Sequence, residues 1–244
     1  MQVDALALRL RPRAPLEAAD LGVRLCQNAA RSIYVCYAMV ALPVIAVAFS
    51  TAGIASWLPT TILWLAKPWF DRTILFVLSR AAFGQATSSG DLLKAKKQVW
   101  WDQLLFTLTV RRLSPWRSLT QPVYQLEGLS PFTARRRVRQ IRRRGAGSAL
   151  MMTSAFSLAE SAILISLLSL VFWFAPAGYQ PDLSGWLSGE PSPVFTSVVA
   201  IAYAIAVFFL EPFYVASGFA MYLNRRAELE AWDIEQEFRR AFAP

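Results

Sequence analysis

A chain of 244 residues that is 55% hydrophobic and carries a formal charge of +9 holds far more contiguous apolar sequence than a basic soluble domain needs. An integral membrane protein is therefore the first reading. The absence of histidine removes the commonest general base and metal ligand, and with it the Ser-His and Cys-His nucleophile systems. The two cysteines, Cys26 and Cys36, lack zinc spacing, imply no disulfide framework and read as small apolar residues; no catalytic residue, cofactor or metal site is implied.

Residues 1–32 form an N-terminal arm. Pro15-Leu16-Glu17-Ala18-Ala19-Asp20 has the signature of a helix start, with acids in the first turn complementing the macrodipole. Asp20 and Arg24 are spaced as an i,i+4 pair. The arm is too long and too mixed in charge to be the n-region of a signal peptide.

Four apolar stretches reach the roughly 20 residues that a helix needs to cross a bilayer core. They run from about 33 to 50, 57 to 78, 149 to 174 and 195 to 223. The first two make a hairpin over 33–83, and the last two a second hairpin over 148–223. Between them lies a basic loop, 84–147, and the chain closes with a C-terminal amphipathic helix over 224–244. In that helix Ala227, Ala231, Ile234, Phe238 and Ala241 follow four-three spacing.

The second and fourth stretches are interrupted by one device, a charge followed by proline and two aromatics: Lys67-Pro68-Trp69-Phe70 and Glu211-Pro212-Phe213-Tyr214. A charge in the hydrocarbon core costs roughly 2.5–3.5 kcal/mol on insertion scales, so it needs a partner, a wet cavity or a function. The opposite signs make Lys67 and Glu211 natural partners. Their matched placement predicts two hairpins related as a parallel repeat about an axis along the membrane normal. Pro68 and Pro212 each free a backbone carbonyl one turn earlier, predicting kinks. Asp71 stands four residues after Lys67 with Arg72 beside it, a second pairing option. Glu160 is the other acid inside a span, flanked by Ser157 and Ser161, small residues that allow close helix approach.

The loop is read as carrying amphipathic interfacial helices. One spans the region around Leu92 to Thr107 with Trp100 and Trp101 at its surface; another starts after Ser130-Pro131, with Ser130 as N-cap. The second holds Arg135, Arg136, Arg137, Arg139, Arg142, Arg143 and Arg144. Tryptophans with dense arginine fit helices lying on anionic lipid headgroups, or an acidic partner. Nucleic acid is disfavoured, because a basic run beside a membrane entry point is first of all a topology signal.

Residues 80–147 hold fourteen Lys and Arg against three acids, whereas 51–56 has no charge and 175–193 has acids only. By the positive-inside rule both termini and the long loop face the cytoplasm. The expected fold is an all-α integral membrane protein with four transmembrane helices in two parallel-repeat hairpins.

Three stretches together resemble an uncharacterised family of proteobacterial inner-membrane proteins: Ala18-Ala19-Asp20-Leu21-Gly22-Val23-Arg24, Lys67-Pro68-Trp69-Phe70-Asp71-Arg72, and Glu211 to Phe219 with Tyr222 to Glu235. More distantly the chain is similar to the membrane domain of glycerophosphoryl diester phosphodiesterases, a helical region without that enzyme's metal-binding residues. The resemblance implies a bacterial inner-membrane helical module working beside other proteins, with no activity to transfer.

Two functions stay open. The leading one is a non-enzymatic scaffold or assembly protein, locked internally by Lys67 and Glu211 and binding other membrane proteins or a second copy of itself. The alternative is a small transporter or lipid-handling protein using Lys67, Asp71, Glu160 and Glu211 as an intramembrane polar path. If the lock were a simple pair, a Lys67→Glu/Glu211→Lys exchange would restore folding lost in either single change.

Overall fold

The computed structural model describes residues 13–101, 114–175 and 192–230. Seven α-helices occur among them: α1 (Pro15–Asn28), α2 (Ala30–Ser50), α3 (Leu58–Ala81), α4 (Ser89–Lys94), α5 (Arg117–Leu126), α6 (Pro131–Phe174) and α7 (Pro193–Glu230). A 3₁₀ turn, Thr51–Gly53, joins α2 to α3, and a π-helical turn, Lys97–Trp101, follows α4. No strand occurs among the described residues.

Three of these helices are long and apolar enough to cross a membrane: α2 with its 3₁₀ extension, α6 and α7. Their outward surfaces are apolar, with Val35, Leu42 and Val47 on α2, Leu158, Ile165 and Trp173 on α6, and Ile201, Ile205 and Phe209 on α7 all exposed. Such a belt is stable against lipid and costly against water. The fourth expected span, α3, is a 24-residue helix at the anticipated place, but its charges set it apart from the other three. Its second half explains why those charges are tolerated: Phe70 to Leu75, with Val77 and Leu78, is buried on every face by protein, so Asp71 and Arg72 never meet lipid.

α7 is the axis of the molecule. From Tyr214 to Asn224 every residue is buried, because α1, α3, α5 and α6 all pack around this half. Two glycines set the closest crossings. A Cβ on Gly22 of α1 would collide with the backbone of Ala216 and Ser217, and one on Gly218 of α7 would collide with Ser118 of α5. The α1 face that meets α7 consists of Ala18, Ala19, Gly22, Leu25 and Cys26, spaced as one helical stripe of small residues.

The loop between α3 and α6 differs from the expectation of helices lying flat on a membrane. The arginine-bearing segment is no separate interfacial helix: α6 runs unbroken for 44 residues, from Pro131 through the arginines into the apolar span. The expected boundary at 147/148 falls inside it, where neither Gly145 nor Gly147 breaks the helical ladder. Helix α5 is inserted among α3, α6 and α7 with Ser118 to Val123 buried. Trp100 is turned inward, donating from Nε1 to Thr73 Oγ1 at 3.1 Å and meeting Trp69 edge-on, whereas Trp101 is 68% exposed. The remainder of the first expected loop helix, and the C-terminal helix beyond Glu230, lie outside the described residues; 224–230 is the end of α7.

The prolines sit inside continuous helices, Pro43 in α2, Pro68 in α3 and Pro212 in α7. Pro212 lacks the N–H that would meet the Phe208 carbonyl, and the Tyr34 hydroxyl donates to the next carbonyl, that of Phe209, at 3.0 Å.

Candidate functional site: a charge cluster in an interhelical cleft

Five charged side chains from four helices meet where the exposed apolar belt gives way to the buried interior. Lys67 of α3 reaches Glu160 Oε2 on α6 at 2.6 Å and Glu211 Oε2 on α7 at 3.0 Å. Arg117, at the start of α5, reaches the other Glu211 oxygen at 2.7 Å and Asp71 Oδ2 at 2.6 Å. The chain of contacts runs Asp71, Arg117, Glu211, Lys67, Glu160, with each cation bridging two carboxylates. Removing either cation leaves carboxylates uncompensated in a poorly solvated place, which is why such networks are costly to break.

Local structure positions each member. Lys67 stands immediately before Pro68, and Asp71 follows one turn later on the same face of α3. The alternative Lys67–Asp71 pairing is not made, because Arg117 occupies Asp71. Arg117 is fixed by its neighbours as well as by charge: its guanidinium lies 5.3 Å from the Tyr214 ring, and Thr153 Oγ1 on α6 ties down the Pro115 carbonyl at 2.8 Å. Burial alone would lower the pKa of Arg117, but the carboxylates of Asp71 and Glu211 more than reverse this and hold it above the ordinary arginine value. The Arg117–Asp71 contact is an ion pair without good hydrogen-bond alignment, since neither Asp71 oxygen nor Arg117 Nε has a well-directed hydrogen bond.

Arg72 is not part of the cluster. It turns to the other side of α3, where its guanidinium takes the carbonyls of Val99 and Gln98 at the π-helical turn, the latter at 2.9 Å. Gln125 Nε2 in turn donates to the Arg72 carbonyl at 2.7 Å. Its role is to dock the loop onto α3. Pro68 and Pro212 are buried beside the cluster and contribute backbone shape rather than charge.

The cluster forms one wall of a cavity of roughly 400 Å³. α3 and α6 both pack on α7 but scarcely on each other, which leaves a cleft between them floored by Tyr203, Leu210 and Tyr214. Ser114 and Pro115 close one end, and Trp64, Phe156 and Leu164 provide apolar sides. The Lys67–Glu160 pair spans this cleft. Glu160 is its most open carboxylate, with 22% of the side chain exposed, against 3% for Glu211 and 1% for Asp71.

The arginine run divides by face. Arg135, Arg136, Arg139, Arg143 and Arg144 are exposed on the first half of α6. Two are committed internally: Arg137 pairs with Glu127 at 3.3 Å and with Glu230, and Arg142 stacks on the Trp116 ring with its guanidinium carbon 3.6 Å from the centroid. The reading of all seven as headgroup ligands therefore narrows to five exposed side chains, because Glu127, Glu230 and Trp116 are supplied by the folded loop and α7.

Arg117 is the member that sequence reasoning missed; it sits at the end of an apparent turn, Ser114-Pro115-Trp116-Arg117. Three acids lie in or near the spans, Asp71, Glu160 and Glu211, but Arg72 beside Asp71 already offered a second cation besides Lys67, so nothing pointed to Arg117.

Comparison with protein-family models, with curated proteins and with solved structures gives no match in any of the three. The fold and the belt define the class, a helical membrane protein.

Proposed function

We propose that the chain is a small, non-enzymatic, lipid-handling membrane protein that holds an amphiphile in the cleft between α3 and α6. One observation carries this reading: a polar, charge-lined cavity that lies within the apolar belt and has aromatic and aliphatic sides. Ligand sites of this kind typically occupy about 300–1,000 Å³, mostly apolar with a few placed polar groups, and roughly 400 Å³ falls in that range. In this reading the cluster both locks four helices together and supplies the polar end of the site. The reading places the protein in a bacterial inner membrane, with α3 as a fourth, partly protein-enclosed span and both termini cytoplasmic. The packing of α2 on α3 and of α6 on α7 supports two hairpins, and the matched breaks at Lys67-Pro68 and Glu211-Pro212 support their relation as a parallel repeat.

The scaffold reading rests on a separate observation. The five exposed arginines on the first half of α6 form a basic face suited to anionic headgroups, to an acidic partner protein or to a second copy presenting its own acids.

Native mass spectrometry of the protein released from its own membranes separates the two. The lipid-handling reading expects an adduct of lipid mass that disappears in Ser161→Phe, which fills the cleft without touching a charge. Absence of any adduct, with a stoichiometric protein partner retained in both forms, would reject it in favour of the scaffold.

A further inference from the structure

We propose that the groove between the first half of α6 and the end of α7 is a binding site for an anionic phosphate group, held by Arg143, Arg144 and Arg225. The site is separate from the cleft between α3 and α6 and does not depend on the reading given to that cleft.

The groove has a volume of about 930 Å³, with Gln140, Arg143 and Arg144 on its α6 wall and Arg225 and Glu228 on its α7 wall. Its charges do not cancel. Arg137 is spent on Glu127 and Glu230, and Arg226 also pairs with Glu230. Arg225 gives Nη1 to Glu228 at 2.5 Å, and that acid accepts from Asn224 as well. Arg142 is turned away onto the Trp116 ring. Among the described residues, Arg137, Arg143, Arg144, Arg225 and Arg226 therefore meet only Glu127, Glu228 and Glu230, an excess of two positive charges. The excess lies at Arg143 and Arg144, which are exposed and make no ion pair with a described residue. Guanidinium forks facing one another across a groove present paired N–H donors, the arrangement that phosphate oxygens accept best.

The position of the groove points to what carries the anion. Arg144 precedes the apolar run of α6 at Ala149 by five residues, about 7.5 Å of helix. Arg225 follows Leu223, the end of the apolar run of α7, by two residues. In a bilayer crossed by α6 and α7 both arginines stand in the headgroup layer, which extends roughly 5–8 Å beyond the hydrocarbon core. Arg144, Arg225 and Glu228 also line an adjoining cavity of about 290 Å³, whose inner wall includes Leu119, Gly145 and Met221. A basic mouth beside an apolar recess suits a phosphate diester with its glycerol and first methylenes, and basic pockets between spans are known headgroup sites. A net anion offsets the excess charge, whereas a zwitterionic headgroup brings its own cation and does not.

The test titrates the whole chain in detergent with phosphatidylglycerol, phosphatidylcholine and inorganic phosphate separately, read by native mass spectrometry. Arg143→Gln/Arg144→Gln removes two exposed arginines from the groove, so the fold should survive. Arg135→Gln/Arg139→Gln removes the same charge from the part of α6 outside it. The expected result is one phosphatidylglycerol per chain, bound at least about tenfold more weakly by the groove variant and within about twofold of wild type by the other. Phosphatidylglycerol retained while inorganic phosphate fails to bind identifies a lipid headgroup as the source; inorganic phosphate bound and lost in the groove variant identifies a free phosphate. Equal weakening in the two variants would mean a diffuse basic face, and phosphatidylcholine bound as tightly as phosphatidylglycerol would mean that net charge plays no part. Either result, or no anion binding at all, overturns the proposal. Phosphatidylglycerol binding abolished by Ser161→Phe also overturns it, because the lipid then sits in the cleft; binding that persists in that variant supports the groove and leaves the cleft to its own test. Asp233, Glu235 and Glu237 follow α7 in sequence. If anion binding emerges only when these three are changed to amides, the groove is neutralised by the chain's own acids and the proposal falls.

Discussion

Arg117 Nη2 donates to Glu211 Oε1 at 2.7 Å across 94 residues of chain. The first residue of a loop helix thereby reaches the charged break of the last span, and through its Nε it also covers Asp71 on α3. Replacing Arg117 with Gln leaves Asp71 without a cation in a fully protein-enclosed site. Breaking a buried pair in this way typically costs roughly 3–5 kcal/mol. Arg117→Lys keeps the charge but loses the fork that contacts two carboxylates, so a smaller loss is expected. Thermal unfolding in detergent, followed by tryptophan fluorescence, reads both; a neutral Arg117→Gln would remove the cluster from any account of stability.

The network changes what a charge exchange should do. A simple Lys67–Glu211 pair would be restored by Lys67→Glu/Glu211→Lys. In the structure the exchange sets a carboxylate at position 67 against Glu160 and an ammonium at position 211 against Arg117, two like-charge contacts where there were two attractive ones. The double variant is therefore expected to be no more stable than either single variant. Rescue would show that Glu160 and Arg117 contribute little.

Helix crossing distances give a prediction without charge. Gly22→Ala should loosen α1 from α7, and Gly218→Ala should push α5 from α7, since each Cβ would meet the neighbouring chain. Overpacking of this kind costs roughly 1–3 kcal/mol. Gly147→Ala is the control: it sits in α6 with open space around it, and helix propensity alone favours alanine by about 1 kcal/mol. Unfolding temperatures should fall for the first two and hold or rise for the third.

Cys26 lies fully buried on the α1 stripe against α7, and burial raises its thiol pKa to about 12. At about pH 8 the thiolate is scarce as well as inaccessible. Iodoacetamide should leave Cys26 unmodified in the folded protein and modify it rapidly once the protein is unfolded. Rapid labelling of the native form would mean that α1 detaches readily from α7.

The capping box of α4 supplies a pH dependence. The Ser88 backbone N–H, at 3.1 Å, and then the Ser88 hydroxyl hold the Asp91 carboxyl below its ordinary value. A lowered pKa in the folded state means that the stabilisation is present above the ordinary carboxylate range and is lost as pH falls through the depressed value. Amide exchange in 89–95 should accelerate on acidification, relative to α7, with Ser88→Ala fast at every pH. A wild-type segment whose exchange relative to α7 does not change with pH would contradict the cap.

Much of this protein is legible from residue order. The apolar runs of α2, α6 and α7, the helix start at Pro15 and the charge-proline breaks follow from short-range pattern, since hydropathy and helix signals act over a few turns. Lys67, Glu160 and Glu211 are recognisable because a charge inside an apolar run is expensive wherever the run ends up. Arg117 is not, because an arginine in a polar loop is cheap until that loop is folded inward. The arginines of α6 read as one surface for the same reason: nothing local marks Arg137 for Glu127 or Arg142 for Trp116.

Sequence by itself therefore determined the class, the positions of the long helices and the need for partners to the intramembrane charges, all consequences of transfer cost along a single helix. Only the tertiary structure decided who those partners are. It inserted α5 among three helices, joined the arginine segment to the third expected span as one continuous helix, and held α3 and α6 apart so that a cleft opens on Glu160. These are contacts between segments tens of residues apart, chosen by shape at Gly22 and Gly218 and by charge complementarity at Arg117, and neither is written in any local window of the chain.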